Sequence, residues 1–213
     1  MQKVTTKTGK ISIRTNLVLV LLTFCMTFCT GFLSAQTPMQ LQQDLLYFEE
    51  QLRSYPNDPD LHYNMAKVYF LLGKTDLAIR YLEKTILLAP TDHEAVLALA
   101  STMRKIGHLA NARDVLSKSL VQIKSNPDIW YELGVVHSDL ANYRPAVEAF
   151  ANALKFSNDE EQKQIIIYYT GLAQLTDRNF KDFSGTLAKL KPGSEYYKAL
   201  QSLGEMSAGT ADR

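Results

Sequence analysis

A period of 34 residues runs through most of this chain and limits what it can fold into. Ala78, Ala112 and Ala146 stand one period apart, as do Leu82, Leu116 and Phe150. Met65, Leu99 and Leu133 keep the same step, with Ala66, Ala100 and Gly134 beside them. Gly73 and Gly107 match, with Ala141 next, and Thr85, Ser119 and Ala153 complete the set. Pro56, Pro90 and Pro192 fall on multiples of the period. Such self-similarity belongs to architectures in which each unit stacks on the one before it. Each unit holds two apolar stretches of helical period, broken at Gly73, at Gly107-His108 or at Ala141-Asn142. Asn57-Asp58-Pro59, Thr91-Asp92 and Asn126-Pro127 are helix-start signals, with Pro59 and Pro127 suited to a first helical turn. The small columns let paired helices approach closely, and the Leu82, Leu116 and Phe150 column fills the space between neighbouring units. Hydrophobic residues at 46% supply enough side chain for such a core.

The clearest copy runs Trp130, Leu133-Gly134, His137, Ala146, Phe150, Ala153. This resembles the tetratricopeptide repeat, whose pattern is W-x₂-L-G-x₂-Y, then A-x₃-F and P. His62, Met65-Ala66, Tyr69, Gly73, Ala78, Leu82 and Pro90 form a first copy. Val96, Leu99-Ala100, Met103, Gly107, Ala112 and Leu116 form a second. The resemblance implies an all-α solenoid of antiparallel helix pairs. It is strong over residues 59–158 and looser over 36–192. The expected organisation is a capping helix within 36–56 and a solenoid over 57–192. The solenoid has windows 59–92, 93–126 and 127–160 and a degenerate fourth, 161–192. A C-terminal helix, at about 194–206, and a disordered tail from Ser207 make up 193–213. In the fourth window Tyr168 replaces a small residue, Gly171 a large one, Phe180 an alanine, and Ser184 a Leu or Phe. Ahead of the first window, Phe48 and Pro56 fit their columns as half a repeat, and Gln40, Gln42, Gln43 and Asp44 suit the exposed side of an end cap.

Before the repeats, Lys3, Lys7, Lys10 and Arg14 precede an apolar run over 17–33. A basic start followed by an apolar run is the layout of a secretory signal, which places everything after residue 35 across the membrane. Ala35 is the expected last signal residue. Leu33 stands where the cleavage pattern asks for a small residue, so residues 1–35 read as a signal peptide or as an uncleaved N-terminal anchor. A buried cytosolic helix is the third reading. Cys25 and Cys29 lie in this run as apolar filler, so the mature chain has no disulfide to staple it. The expected location is periplasmic or secreted, or facing outward on a membrane anchor.

The balance of charge excludes a general nucleic-acid role: 23 basic against 22 acidic residues leave no field to hold a phosphate backbone. No phosphate loop, G-x-G-x-x-G or G-x-S-x-G occurs. His93-Glu94 begins like a zinc-protease helix, but Leu97 stands where the second histidine belongs. The expectation is therefore a binding protein and not an enzyme, with no catalytic, metal or cofactor site.

In stacked helix pairs the first helix of each unit lines a groove. Its fifth residue gives Tyr63, Leu97, Tyr131 and Ile165; its ninth Lys67, Ser101, Val135 and Tyr169; its twelfth Phe70, Arg104, Ser138 and Leu172. The candidate groove is Tyr63, Lys67, Phe70, Leu97, Ser101, Arg104, Tyr131, Val135 and Ser138, an apolar track for a protein or peptide. For Leu97 and Ile165, ordinary lining or partial core is an equal reading. One branch of the family clamps the C-terminal carboxylate of chaperones. At those positions this chain has Tyr63 and Lys67, Ala98, Asp128 and Glu132, so that specificity is not carried over. The expected function is an exported scaffold that binds a partner in this groove. The alternative is a structural subunit of an envelope or export assembly that associates with itself through the solenoid.

Overall fold

A computed structural model describes residues 37–211, with side chains to residue 207. The expected signal or anchor at 1–35, with Cys25 and Cys29, lies outside the described residues. Among the described residues there are ten α-helices and no strand. They are α1 (Pro38–Ser54), α2 (Pro59–Leu71), α3 (Thr75–Leu88), α4 (His93–Lys105), α5 (Leu109–Ser119), α6 (Pro127–Asp139), α7 (Tyr143–Phe156), α8 (Glu160–Thr176), α9 (Phe180–Leu187) and α10 (Glu195–Ala211). From Leu41 onward the helices belong to one compact unit. Helices α2–α3, α4–α5, α6–α7 and α8–α9 pack as successive pairs, each against the next, and α10 lies on α8 and α9. None of these helices is long and apolar enough to cross a membrane.

The start signals act as caps. Asp58 accepts from the N–H groups of Asp60 and Leu61 at 2.9 and 3.3 Å. Asn126 does the same for Asp128 and Ile129 at 2.9 and 3.0 Å, and Asp92 accepts from Ala95 at 3.1 Å. Each satisfies donors that the first helical turn leaves free. His62 and Trp130, which share a column, also share a job. Their ring nitrogens bond the carbonyls of Pro56 and Lys124 at 2.9 and 2.8 Å, fixing the loop that leads into the helix.

Between paired helices the chain turns through a left-handed residue: Gly73 (φ 72°), Gly107 (φ 82°) and Ala141 (φ 58°). Alanine has a Cβ that this conformation disfavours. Ala141→Gly is therefore expected to raise stability by about 0.5–1 kcal/mol, as read from the midpoint of a urea melt.

Packing explains the columns. Ala78, Ala112 and Ala146 are fully buried, as are Leu116 and Phe150. A methyl placed on Gly134 would lie 2.5 Å from the Phe150 ring. The first two units carry Ala with Leu in these columns, and the third carries Gly with Phe, so volume gained on one helix is given up on the other. Thr85 and Ser119 are buried but satisfied, donating to the carbonyls of Tyr81 and Val115 at 3.0 and 2.8 Å.

The fourth unit corrects the sequence register. Where each second helix begins, the N–H of Lys74, His108 and Asn142 donates to the carbonyl of Tyr69, Met103 and His137 at 2.9, 2.8 and 2.8 Å. The corresponding bond in the fourth unit is Asn179 to Gln174 at 2.8 Å, three positions later than the period places it. The cause is α8, which has 17 residues where α2, α4 and α6 have 13. The excess is about one helical turn of 3.6 residues, so the buried face is preserved while the numbering slips. In this register Gly171 holds the small position and Phe183 the alanine position. Tyr168 and Phe180 are not the departures they resemble in the sequence. A side chain at Gly171 would run into Leu200 of α10, and one at Gly204 would lie 2.7 Å from Phe183. Helix α10 therefore seals the C-terminal end through Ile167, Leu175, Phe183, Leu190 and Leu200. It continues to Ala211, so the disordered tail expected from Ser207 is instead helical to that point. At the other end Leu45, Phe48 and Leu52 of α1 lie against Met65, Tyr69 and Ala78. Gln42 and Gln43 are exposed there, and Asp44 is half-buried.

Candidate functional site

Spacings of four and three residues place positions five, nine and twelve of each first helix on one helical face. On α2, Tyr63 is half-buried and Lys67 and Phe70 are exposed. On α4, Leu97 and Arg104 are half-buried and Ser101 is exposed. On α6, Tyr131, Val135 and Ser138 are half-buried, the last donating to the carbonyl of Gly134 at 3.0 Å.

Two cations on this face lie over rings. Lys67 Nζ is 5.6 Å from the Tyr63 ring centre, and Lys105 Nζ reaches from α4 to within 4.8 Å of the Phe70 ring centre. Electron-rich ring faces hold ammonium groups in this way. Burial and the neighbouring Glu94 and Asp92 raise the pKa of the Tyr63 hydroxyl, so it is a neutral hydrogen-bonding group.

Arg104 sits differently from a free rim charge. Its Nε donates to Glu132 at 2.9 Å and its Nη1 to Asp139 at 3.4 Å, tying α4 to α6. Burial lowers the pKa of the guanidinium, but Glu132 and Asp139 outweigh it and hold the value above the ordinary one. The acids stand 28 and 35 residues from Arg104, one period adjusted along the helix. That spacing is the signal by which sequence reading, which left out Glu132 and Asp139 as partners, would have found them.

Tyr131 is also more structural than its column implies. Its ring meets Phe150 at 5.9 Å and Tyr169 of α8 edge-on at 5.5 Å. Tyr168 continues the series, 5.6 Å from Tyr169 and 5.5 Å from Tyr196 of α10. Burial, then the adjacent Tyr169 hydroxyl and its hydrogen bond, raise the Tyr131 pKa. By numbering Tyr168 falls in the small-residue column, and only the corrected register of the fourth unit puts it in line with Tyr63, Leu97 and Tyr131. Tyr196 lies outside the repeats, so only the fold joins the two. Ile165 and Leu172 are half-buried, and Leu172 packs on the C-terminal cluster. A polar bridge also links the third and fourth units: Gln162 donates to Asp128 at 2.5 Å and accepts from Ser157 at 2.5 Å.

His137 shares its column with Tyr69, Met103 and Gln174, and its Nδ1 is buried without a partner. Burial first, and then Arg113, lower its pKa against an opposing pull from Glu148. A histidine kept neutral by the fold contributes stability above its unfolded pKa of about 6.5, and loses it as pH falls through the lowered folded value. Stability is therefore expected to decline as pH drops below about 6.5, and His137→Met, the residue of the second unit, should flatten that part of the profile. Urea melts at a series of pH values test this.

The stacked helix pairs define an α-solenoid repeat protein. Tetratricopeptide repeat family models match residues 45–103 and 127–160, and the repeats over those residues are tetratricopeptide repeats. Among solved structures the chain is similar to MamA, at 22% identity and a TM-score of 0.59, over 80% of this chain and 92% of that one. It is similar to residues 41 to the end of MamA from Desulfovibrio magneticus RS-1, at 18% identity and a TM-score of 0.58, over 78% and 87%. It is also similar to YrrB, described as a TPR protein with an unusual peptide-binding site, at 13% identity and a TM-score of 0.59, over 82% and 84%. No curated protein matches by sequence. At these identities the likeness is one of fold.

Proposed function

We propose that this chain is a non-catalytic scaffold that binds a protein or peptide on the face lined by α2, α4 and α6. The observation that carries the reading is the state of that face. Lys67, Phe70 and Ser101 are exposed beside half-buried Tyr63, Leu97 and Val135. Rigid aromatic side chains of this kind bury large area at low entropic cost. The fold class supports an interaction scaffold, and the peptide-binding site ascribed to YrrB supports a peptide as occupant. Tyr131 and Arg104 belong to this face but are committed to contacts within the chain, so they are poor probes of binding. Tyr63→Ala with Phe70→Ala is expected to weaken partner binding by at least about 2 kcal/mol while the helical signal is kept. A partner captured by crosslinking from the envelope fraction and titrated against both proteins tests it. Unchanged affinity in a folded double variant moves the site off this face.

The basic and apolar residues before residue 35 support an exported location, periplasmic or secreted, or anchored and facing outward. A reporter fused after residue 60 tests this; activity in the cytoplasm overturns it. The second reading, a subunit that associates with itself, draws on exposed Leu46 and Tyr47 of the end helix. Sedimentation of the purified chain across concentrations separates the two.

A further inference from the structure

We infer that a cavity at the junction of the third and fourth units takes an arginine side chain from a partner protein, held by its guanidinium group. The cavity has a volume of about 370 Å³ and lies between the start of α7, the end of α8 and the start of α9. None of its residues belongs to the candidate face. The observation that carries the assignment is Gln174. This side chain lines the cavity, is 6% exposed, and has a buried carbonyl oxygen that no donor reaches. A buried acceptor left unmade costs stability. The fold does not require one here, because the second unit fills the same column with Met103. A guest that brings an N–H group into the cavity supplies the missing donor once the amide turns to meet it, and the last torsion of a glutamine is soft.

The charge on the lining selects a cation. Glu148 comes from α7, Asp177 from the cap of α8 and Asp182 from α9, against a single base, Arg144. All four are exposed, and none forms an ion pair among the described residues. Asp182 is partly engaged, accepting from the Asn179 side-chain amide at 2.8 Å in the cap of α9. Among the described residues no three acids or imidazoles converge closely enough to hold a metal ion. Acids spread over three elements suit a broad cation, and a guanidinium carries five donors and a delocalised charge in one plane. Half-buried Tyr143 and Val147 supply apolar wall, on which an arginine stem packs and its planar head stacks.

The test is a titration of the purified full chain with acetylarginine methylamide, followed through the side-chain amide NMR signals of Gln174. A saturable shift of those signals is expected. Acetylcitrulline methylamide has the same shape without the charge, and is expected to bind at least about tenfold more weakly. Glu148→Gln with Asp177→Asn is expected to weaken arginine binding about tenfold and to flatten its salt dependence. Both acids are exposed, so this variant keeps its helical signal and melting curve. Gln174→Met, the residue of the second unit, is expected to weaken binding by a similar factor without loss of stability, read from chemical shifts elsewhere along the lining and a urea melt. No shift at Gln174, equal binding of the citrulline compound, or full binding by the double-acid variant overturns the inference. Tighter binding of acetyllysine methylamide makes this an ammonium site, and tighter binding of free arginine makes it a site for the amino acid itself; either overturns it. Saturable binding of inorganic phosphate that Arg144→Gln removes makes it an anion site and also overturns it.

Discussion

Phe150→Ala is expected to lower unfolding stability by about 3–5 kcal/mol, the range for removing a fully buried aromatic ring. Phe150 is 1% exposed and lies against Gly134, which has no side chain to move into the space. The opposite change tests the same contact from the other helix. Gly134→Ala should cost about 1–3 kcal/mol, because its methyl must displace a ring packed on all sides. The two together have a sharper outcome. Gly134→Ala with Phe150→Leu rebuilds the Ala and Leu columns of the first two units, so it should recover most of the loss caused by Gly134→Ala alone. Urea melts of the wild type, Gly134→Ala, Phe150→Leu and the double variant measure the coupling. A neutral Gly134→Ala would show that the ring has room to shift, and simple additivity would separate the two residues.

Leu200→Ala is expected to cost about 2–5 kcal/mol and to act first on the C-terminal end. Leu200 is fully buried and packs on Gly171, so the cavity left behind has no neighbouring side chain on that side to fill it. Helix α10 also packs Gly204 on Phe183, and the same change loosens that contact. A repeat array is stabilised through contacts between neighbours, so damage at one end stays near that end. Hydrogen exchange should speed up across α8, α9 and α10 before it does across α2 to α5. Uniform acceleration along the chain would mean that the units unfold as one.

Much of the solenoid was legible because its repeat imposes the same packing problem several times. Ala78, Ala112 and Ala146 announce a close helix contact by recurring, and the structure buries all three. The caps at Asp58, Asp92 and Asn126 are local, set by side chains that reach their own backbone two or three residues on. The candidate face was less legible. Position along a helix says which side a residue is on, but not what meets it there. Arg104 looks free in a column with Phe70 and Ser138, until α6 brings Glu132 and Asp139 to it. Tyr131 looks equivalent to Tyr63, until α8 lays Tyr169 across it.

The sequence by itself determined the helices, their starts and turns, and which columns face inward over the first three units, because these follow from local hydrogen bonding and from a period repeated along one chain. Tertiary structure alone decided the fourth unit. One extra turn in α8 leaves the buried face unchanged but moves every later residue out of step, and a fixed period cannot follow it. Gly171 then finds its partner in Leu200, from a helix outside the repeats. It also decided that Arg104 is spent on Glu132 and Asp139 inside the chain, since a side chain's charge is neutralised by what lies near it in space.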